Sequence, residues 1–136
     1  MQAAIMKRSL AAWPEIATEY SELERHWPDL TQLPTAWQMD RQTSLTIVVA
    51  DVLKGMCAWQ GACDAWFLDG FAPSKNPDMW SLDLMRAMHE RTNENGTLAS
   101  YTAAGWVRRN LAEAGFEVRK TPGFAGKRDM IAGIKL

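Results

Sequence analysis

Two carboxylates in this chain stand where an apolar run gives way to a turn, which makes them candidates for a chemical site. Asp69 follows the apolar run 65–68, and Asp51 follows the β-branched run 45–50. Both runs are typical of buried strands. Ligands bind beyond the carboxyl ends of strands in open α/β sheets, so an acid there can accept a proton or orient a substrate group.

Each carboxylate also has a purely structural interpretation. Asp51 suits the N-cap of a helix that begins at Val52, and Asp69 with Gly70 suits a tight turn. The residues by themselves leave both interpretations open. The loop after Asp69 is stiff, because Pro73 restricts its backbone and prevents the strand from continuing.

Strands and helices alternate through most of the chain. Strands are predicted at 36–39, 45–50, 65–68, 97–102, 116–121 and 130–136, helices at 52–59, 78–91 and 103–114, and turns at 40–43 and 93–96. This alternation predicts an α/β domain with a mainly parallel sheet, to which a final hairpin adds an antiparallel edge strand. Tyr101 and Thr102 would then lie at the same sheet edge as Asp69. Gly115 is expected to end the last helix in a left-handed conformation.

The first third of the chain predicts helices rather than strands. Apolar residues recur with a helical rhythm over 3–13, and Pro14 interrupts that pattern and can start a second helix that reaches Trp27. We therefore expect a single domain over 1–136, with a helical lead-in at 1–35 and an α/β core at 36–136.

Composition narrows the class of protein. The 136 residues are 47% hydrophobic, and neither a membrane-spanning run nor a signal-peptide pattern is present, so a cytoplasmic protein is expected. Cys57 and Cys63 have no metal or redox spacing, and no metal site is predicted. The net charge of −1 is uneven: residues 105–136 carry seven basic against three acidic side chains, and could form either a phosphate-binding surface or a solvated face.

The wording around Asp69 resembles one enzyme family. Residues 66–73 read WFLDGFAP, followed by KNP at 75–77 and MW at 79–80, with further matches at 96–99, 101–105, 107–109, 113–116 and 126–128. These segments, in this order, are similar to the methyltransferase domain of the MnmC family. That resemblance implies a Rossmann-like class I methyltransferase fold and S-adenosylmethionine as the cofactor. It also implies tRNA as the substrate, with 5-aminomethyl converted to 5-methylaminomethyl on wobble uridine.

The resemblance also implies roles for particular residues. Asp69 would be catalytic, and the cofactor would be bound by Asp51, Val52, Asp69 and Gly70. Substrate contacts would come from Phe71, Pro73, Lys75, Tyr101, Thr102, Arg108, Lys127 and Arg128, with Arg109 a further candidate for phosphate contact. Phe71 could stack on a base or pack beneath its loop, and each basic residue could equally be a solvated surface charge.

One departure from the family stands against these matches. Members open with a strand, a glycine-rich turn and a second strand ending in an acid, whereas none of the nine glycines here forms a Gly-x-Gly-x-Gly pattern. We therefore expect a sheet lacking its first two strands, which leaves the edge of the strand at 65–68 exposed. Either the strand at 45–50 pairs beside it, or a second chain supplies the missing strands.

Two function classes remain open from the sequence. The first is a tRNA methyltransferase, which in this family is often fused to a flavin-dependent oxidoreductase, so that FAD would enter only through such a domain or partner. The second is a non-catalytic remnant or RNA-binding fragment that lacks the glycine-rich cofactor motif. No membrane partner is expected.

Overall fold

A computed structural model describes residues 13–16, 35–69, 71–123 and 129–136. The chain divides into two compact units, Met1–Val49 and Ala50–Leu136. A short 3₁₀ helix, Pro14–Ile16, begins where proline was expected to start a helix. The rest of the predicted lead-in helices lies outside the described residues. No helix in the described ranges has the length and apolar character needed to cross a membrane.

The described part of the first unit contains a hairpin of two antiparallel strands, β1 (Thr35–Gln38) and β2 (Ser44–Ile47). Its turn is built by Asp40, whose Oδ1 accepts hydrogen bonds from the backbone N–H groups of Gln42 and Thr43, each at 2.7 Å. The predicted strand and turn at 36–43 are thereby confirmed. The prediction that 45–50 pairs beside 65–68 is wrong, because β2 forms its ladder with β1 in a separate two-stranded sheet.

The second unit is built on a four-stranded sheet with the order β3-β4-β6-β5. Its strands are β3 (Cys63–Leu68), β4 (Thr92–Ser100), β5 (Glu117–Pro122) and β6 (Asp129–Ile134). β3 and β4 are parallel, and β6 is antiparallel to both β4 and β5. Three of the four strands therefore run in one direction, as the α/β prediction requires. The final hairpin is confirmed, but its antiparallel strand β6 lies inside the sheet rather than at an edge.

β3 occupies one edge of this four-stranded sheet, in agreement with the exposed strand edge that the sequence predicts there. Between β3 and β4 the register shifts, because Cys63 is opposite Thr92 while Ala65 is opposite Thr97. The prediction of a turn at 93–96 is wrong, because these residues belong to β4 and form an irregularity in its ladder with β3. Asn95 there has a φ of 64°, a left-handed conformation that asparagine tolerates better than most residues.

Three helices accompany the sheet: α1 (Val52–Ala58), α2 (Leu82–Glu90) and α3 (Gly105–Glu113). The predicted helix at 78–91 is interrupted, because a 3₁₀ helix, Pro77–Trp80, is followed by extended Ser81, whose Oγ caps α2. Gly115 has the expected left-handed φ of 113°. A Cβ at that position would lie 2.8 Å from Nε2 of His89, so close packing also favours glycine there.

The core of this unit lies between the sheet and α2 and α3. It is formed by buried side chains from both layers: Trp80, Leu84, Met85, Met88, Leu98, Val107, Leu111, Phe116 and Ile131. Residues of α1 pack against this cluster and are half-buried. Trp66 and Leu68 of β3 pack against this cluster, which includes Leu98 of β4, so the core supports both of these parallel strands.

Candidate active site

Asp69 lies directly after the carboxyl end of β3, next to the carboxyl end of β4. The two strands are parallel, and Leu68 is the register partner of Ser100. Because parallel strands end at the same edge of a sheet, Asp69 and Tyr101 leave the sheet side by side.

A cleft of about 310 Å³ opens at this edge, and we call it the strand-end cleft. The ends of both strands, the loop after β3 and the 3₁₀ helix line it, through Leu68, Asp69, Phe71, Ala72, Pro73, Trp80, Ser100, Tyr101 and Thr102. Five of the residues that the sequence singles out therefore lie together here: Asp69, Phe71, Pro73, Tyr101 and Thr102.

The loop after Asp69 presents Phe71 to solvent. Phe71 has a φ of 56°, a left-handed conformation that is costly for a bulky side chain, and the side chain is 80% exposed. The alternative in which Phe71 packs beneath the loop is therefore wrong. The carbonyl of Ala72 accepts hydrogen bonds from the backbone N–H groups of Lys75 at 2.9 Å and Asn76 at 3.1 Å. This turn encloses Pro73 and limits how far the loop can move.

The side wall of the cleft is anchored in the core. Trp80 is buried, and its carbonyl accepts a hydrogen bond from Nδ2 of Asn110 on α3 at 2.9 Å. Ser100 is also buried, and its Oγ donates to the carbonyl of Leu68 at 2.8 Å. The cleft is therefore lined both by the buried, hydrogen-bonded residues Trp80 and Ser100 and by the exposed aromatic residues Phe71 and Tyr101.

A second cleft, of about 250 Å³, also borders Asp69, and we call it the apolar cleft. Its lining comes from α1, β3, the 3₁₀ helix and α2: Val52, Met56, Trp66, Phe67, Leu68, Asp69, Met79, Trp80, Leu84, Met85 and Met88. Asp69 is the one charged residue in that set. A ligand with a flat apolar part could be held there with its polar end near the Asp69 carboxylate.

Asp51 caps α1. Its Oδ1 accepts a hydrogen bond from the backbone N–H of Lys54 at 3.1 Å, so the structural interpretation of this acid is confirmed. Asp51 is exposed and precedes Val52, which lines the apolar cleft. A contact between Asp51 and a cofactor remains a prediction.

The predicted basic residues do not line either cleft within the described part of the chain. Lys75 and Arg109 are exposed, and Arg108 is half-buried in the first half of α3. Lys127 and Arg128, together with Gly70, lie outside the described residues.

Four residues that line the strand-end cleft are not singled out as site residues by the sequence: Leu68, Ala72, Trp80 and Ser100. The available signals are positional, because Ser100 immediately precedes Tyr101 at a strand end and Trp80 closes the proline-containing loop.

At the other end of β3, burial raises the pKa of the Cys63 thiol, with a smaller contribution from the negative charge of Asp64. Cys63 therefore remains protonated over a wider pH range and is a poor nucleophile.

Comparison with known proteins shows the family to which this chain is similar. A family model described as S-adenosyl-L-methionine-dependent methyltransferase matches residues 14–136. The tRNA 5-methylaminomethyl-2-thiouridine biosynthesis bifunctional protein MnmC of Vibrio campbellii is 42% identical over 96% of this chain and 20% of its own length. The protein of the same name from Pseudomonas aeruginosa is 39% identical, over 98% of this chain and 20% of its own length.

A solved structure extends the similarity to three dimensions. MNMC2 from Aquifex aeolicus superposes with a TM-score of 0.66 at 30% identity, covering 76% of this chain and 34% of the other. The chain spans 20%, or one fifth, of the length of the two curated relatives named above.

Proposed function

Because the chain belongs to the family of S-adenosyl-L-methionine-dependent methyltransferases, we propose that it forms part of a methyl-transfer site acting on tRNA. The proposed acceptor is the 5-aminomethyl group of a modified wobble uridine, which becomes 5-methylaminomethyl. The relatives support this choice, since their name assigns them to tRNA 5-methylaminomethyl-2-thiouridine biosynthesis. Because those relatives are bifunctional, a flavin-dependent oxidoreductase domain is the proposed partner.

The observation that carries the proposal is the position of Asp69 where two clefts of different character adjoin. The strand-end cleft has aromatic and polar walls, and the apolar cleft has mostly aliphatic and sulfur-containing walls. Methyl transfer needs a donor and an acceptor brought together from separate pockets. A carboxylate that lines both pockets is placed to act on the acceptor while the donor is bound.

The apolar cleft fits one end of the cofactor. S-adenosylmethionine has a flat adenine ring, and Val52, Met56 and Trp66 offer a wall of matching character. Asp51, exposed one residue before Val52, is the proposed acceptor for the exocyclic amine of the adenine. The 136 residues contain no Gly-x-Gly-x-Gly turn, so none of them is assigned to the methionine end.

Asp69 is proposed to handle the proton of the acceptor amine. When bound, S-adenosylmethionine supplies an electrophilic methyl group. The aminomethyl nitrogen can be alkylated only in its neutral form, with its lone pair directed at that group. A carboxylate oxygen of Asp69 can accept a hydrogen bond from this nitrogen, orient its lone pair and receive its proton.

The exposed rings and cations are proposed to hold the RNA. Phe71, 80% exposed, and Tyr101, 53% exposed, border the same cleft and can contact a flipped-out base. Lys75, Arg108, Arg109, Lys127 and Arg128 are the proposed phosphate contacts. Their contribution should weaken as salt concentration rises, because phosphate binding releases counterions.

Titration calorimetry with S-adenosylmethionine tests the cofactor assignment, and micromolar binding is expected. Asp69→Asn should keep the fold and cofactor binding but abolish turnover on undermethylated tRNA. Asp64→Asn is the matched control, because Asp64 lies at the opposite end of β3 and its Oδ1 accepts from Nδ2 of Asn93, which an asparagine oxygen can also do. Equal turnover in Asp69→Asn and the unmodified chain would rule out the catalytic assignment.

A second candidate function is a non-catalytic RNA-binding fragment of the same family. The 136 residues contain no Gly-x-Gly-x-Gly turn, whose peptide backbone approaches the cofactor closely in related folds. Absence of binding up to millimolar cofactor, combined with retained binding of tRNA, would select this second function over the first.

A further inference from the structure

We propose that Ser100 is a positioning residue that fixes where Asp69 and Tyr101 stand in the strand-end cleft. This inference rests on the methyl-transfer function proposed above. Ser100 is the last residue of β4 and the register partner of Leu68, which is the last residue of β3. It is only 4% exposed, although serine residues in proteins are mostly exposed.

A single hydroxyl group joins the two strand ends. The Oγ of Ser100 donates to the carbonyl oxygen of Leu68 at 2.8 Å and accepts from the backbone N–H of Thr102 at 3.3 Å. The Oγ1 of Thr102 in turn accepts from the N–H of Ala104 at 3.2 Å, immediately before α3. The hydrogen-bond chain therefore runs from the end of β3 to the beginning of α3.

These two bonds act on the peptide groups that flank the site residues. The carbonyl of Leu68 belongs to the same planar peptide unit as the nitrogen of Asp69, so fixing that carbonyl fixes the plane from which Asp69 departs. The N–H of Thr102 likewise shares a planar unit with the carbonyl of Tyr101. One buried hydroxyl thus sets the backbone orientation of the proposed catalytic acid and of an aromatic residue beside it.

Ser100 stands at the end of the ladder between β3 and β4. Leu68 and Ser100 are the last register pair between β3 and β4, so the ladder does not extend to Asp69 or Tyr101. Thr97 offers a comparison, because its Oγ1 donates to the carbonyl of Asp64 across the same two strands, at 3.5 Å and on an exposed surface. The same type of contact therefore occurs twice between β3 and β4, but that of Ser100 is the shorter, is part-buried and lies next to the site.

The test compares Ser100→Ala, Ser100→Thr and the matched control Thr97→Ala in the full chain, with undermethylated tRNA as substrate. A small displacement of a catalytic group can cost about 100-fold in rate, so Ser100→Ala should lower kcat by about 10- to 100-fold. KM for tRNA should change by less than about twofold, because the RNA contacts are kept. Ser100→Thr retains the hydroxyl and should recover most of kcat, and Thr97→Ala should match the unmodified chain.

Amide NMR gives a second measurement that needs no turnover. Ser100→Ala should speed hydrogen exchange of the Thr102 amide by about tenfold or more, the effect of losing about 1.4 kcal/mol of protection. It should also shift the Asp69 amide resonance, whereas Thr97→Ala should do neither. Thermal melts show whether the variants remain folded at the assay temperature.

The two measurements separate this inference from the proposed function. If the unmodified chain has no turnover, the proposed function fails, and the amide data still decide whether Ser100 fixes the two peptide groups. Unchanged Thr102 exchange and an unchanged Asp69 resonance in folded Ser100→Ala would overturn the inference. An equal loss of kcat in Ser100→Ala and Thr97→Ala would overturn it as well, since general loosening of the strand pair would then explain the effect.

Discussion

Thr92→Val should destabilise the second unit far more than its conservative chemistry indicates. Thr92 is 3% exposed and its hydroxyl links three elements. Oγ1 accepts a hydrogen bond from Nε1 of Trp66 on β3 at 2.8 Å and donates to the carbonyl of Met88 on α2 at 2.7 Å. Valine keeps the shape and the β-branched character, so the substitution removes the two hydrogen bonds with little change in packing.

The magnitude follows from which groups are left without partners. The carbonyl of Met88 still accepts from the backbone N–H of Arg91 at 3.1 Å, so its loss is small. The indole N–H of Trp66 loses its acceptor while half-buried, and an unsatisfied buried donor costs about 1–3 kcal/mol. Since Trp66 is only partly buried, we expect a loss of about 2 kcal/mol or slightly less in the free energy of unfolding.

Urea denaturation followed by amide NMR measures this loss within the second unit. The control is Thr97→Val, where the hydroxyl is exposed and its contact is long, and a change within about 0.5 kcal/mol is expected. The indole resonance of Trp66 should move in Thr92→Val and stay in place in the control. Equal stabilities of the two variants, with an unmoved Trp66 indole resonance, would refute this reasoning.

Two further predictions concern charges. The side chain of Lys135 is 16% exposed, and its Nζ donates to the carbonyl of His89 at 3.1 Å and to that of Thr92 at 2.9 Å, near the end of α2. Lys135→Met should therefore lower the free energy of unfolding by about 2 kcal/mol, as measured by urea denaturation. The control is the surface ion pair Lys120–Asp129, where Lys120→Met should lower the free energy of unfolding by less than about 1 kcal/mol. If Lys120→Met and Lys135→Met lowered it equally, burial would not explain the effect of Lys135. Hydrogen bonds, first from the N–H of Gln42 and then from Thr43, hold the pKa of Asp40 below its ordinary value. The contribution of Asp40 to the stability of the hairpin is therefore complete above the unfolded-state pKa. It is lost as pH falls through the lower folded-state pKa. In a pH titration by NMR the Gln42 and Thr43 amide resonances should therefore inflect below the ordinary aspartate range, and an inflection at the ordinary value would contradict this.

Local features of the fold were predictable because they depend on neighbouring residues. Asp51 before an apolar helical segment predicts the cap that it forms, and Gly115 after one predicts the left-handed residue that ends α3. Asp40 in a polar segment predicts the turn of the hairpin. The prediction of one continuous helix at 78–91 is wrong at Ser81. This residue ends the 3₁₀ helix and is the N-cap of α2.

The pairing of strands was less predictable, because it depends on residues distant in sequence. The run 45–50 predicts a strand, but nothing in it distinguishes β1 from β3 as its partner. The antiparallel strand β6 was expected at an edge, yet it lies between β4 and β5, where Ile131 is completely buried. β6 thus has a hydrogen-bonded strand on each side, while its residues other than Ile131 are half-buried.

The sequence by itself determined the family, the α/β class and the acid at the end of β3, since these follow from short segments whose residues act on their immediate neighbours. Only the tertiary structure decided that Phe71 is exposed at the cleft that Asp69 and Tyr101 line, and that Ser100 links the strands beneath them. Such contacts join residues about thirty positions apart, as in the 32-residue separation of Ser100 and Leu68. They depend on the core between the sheet, α2 and α3, which supports the register of β3 against β4.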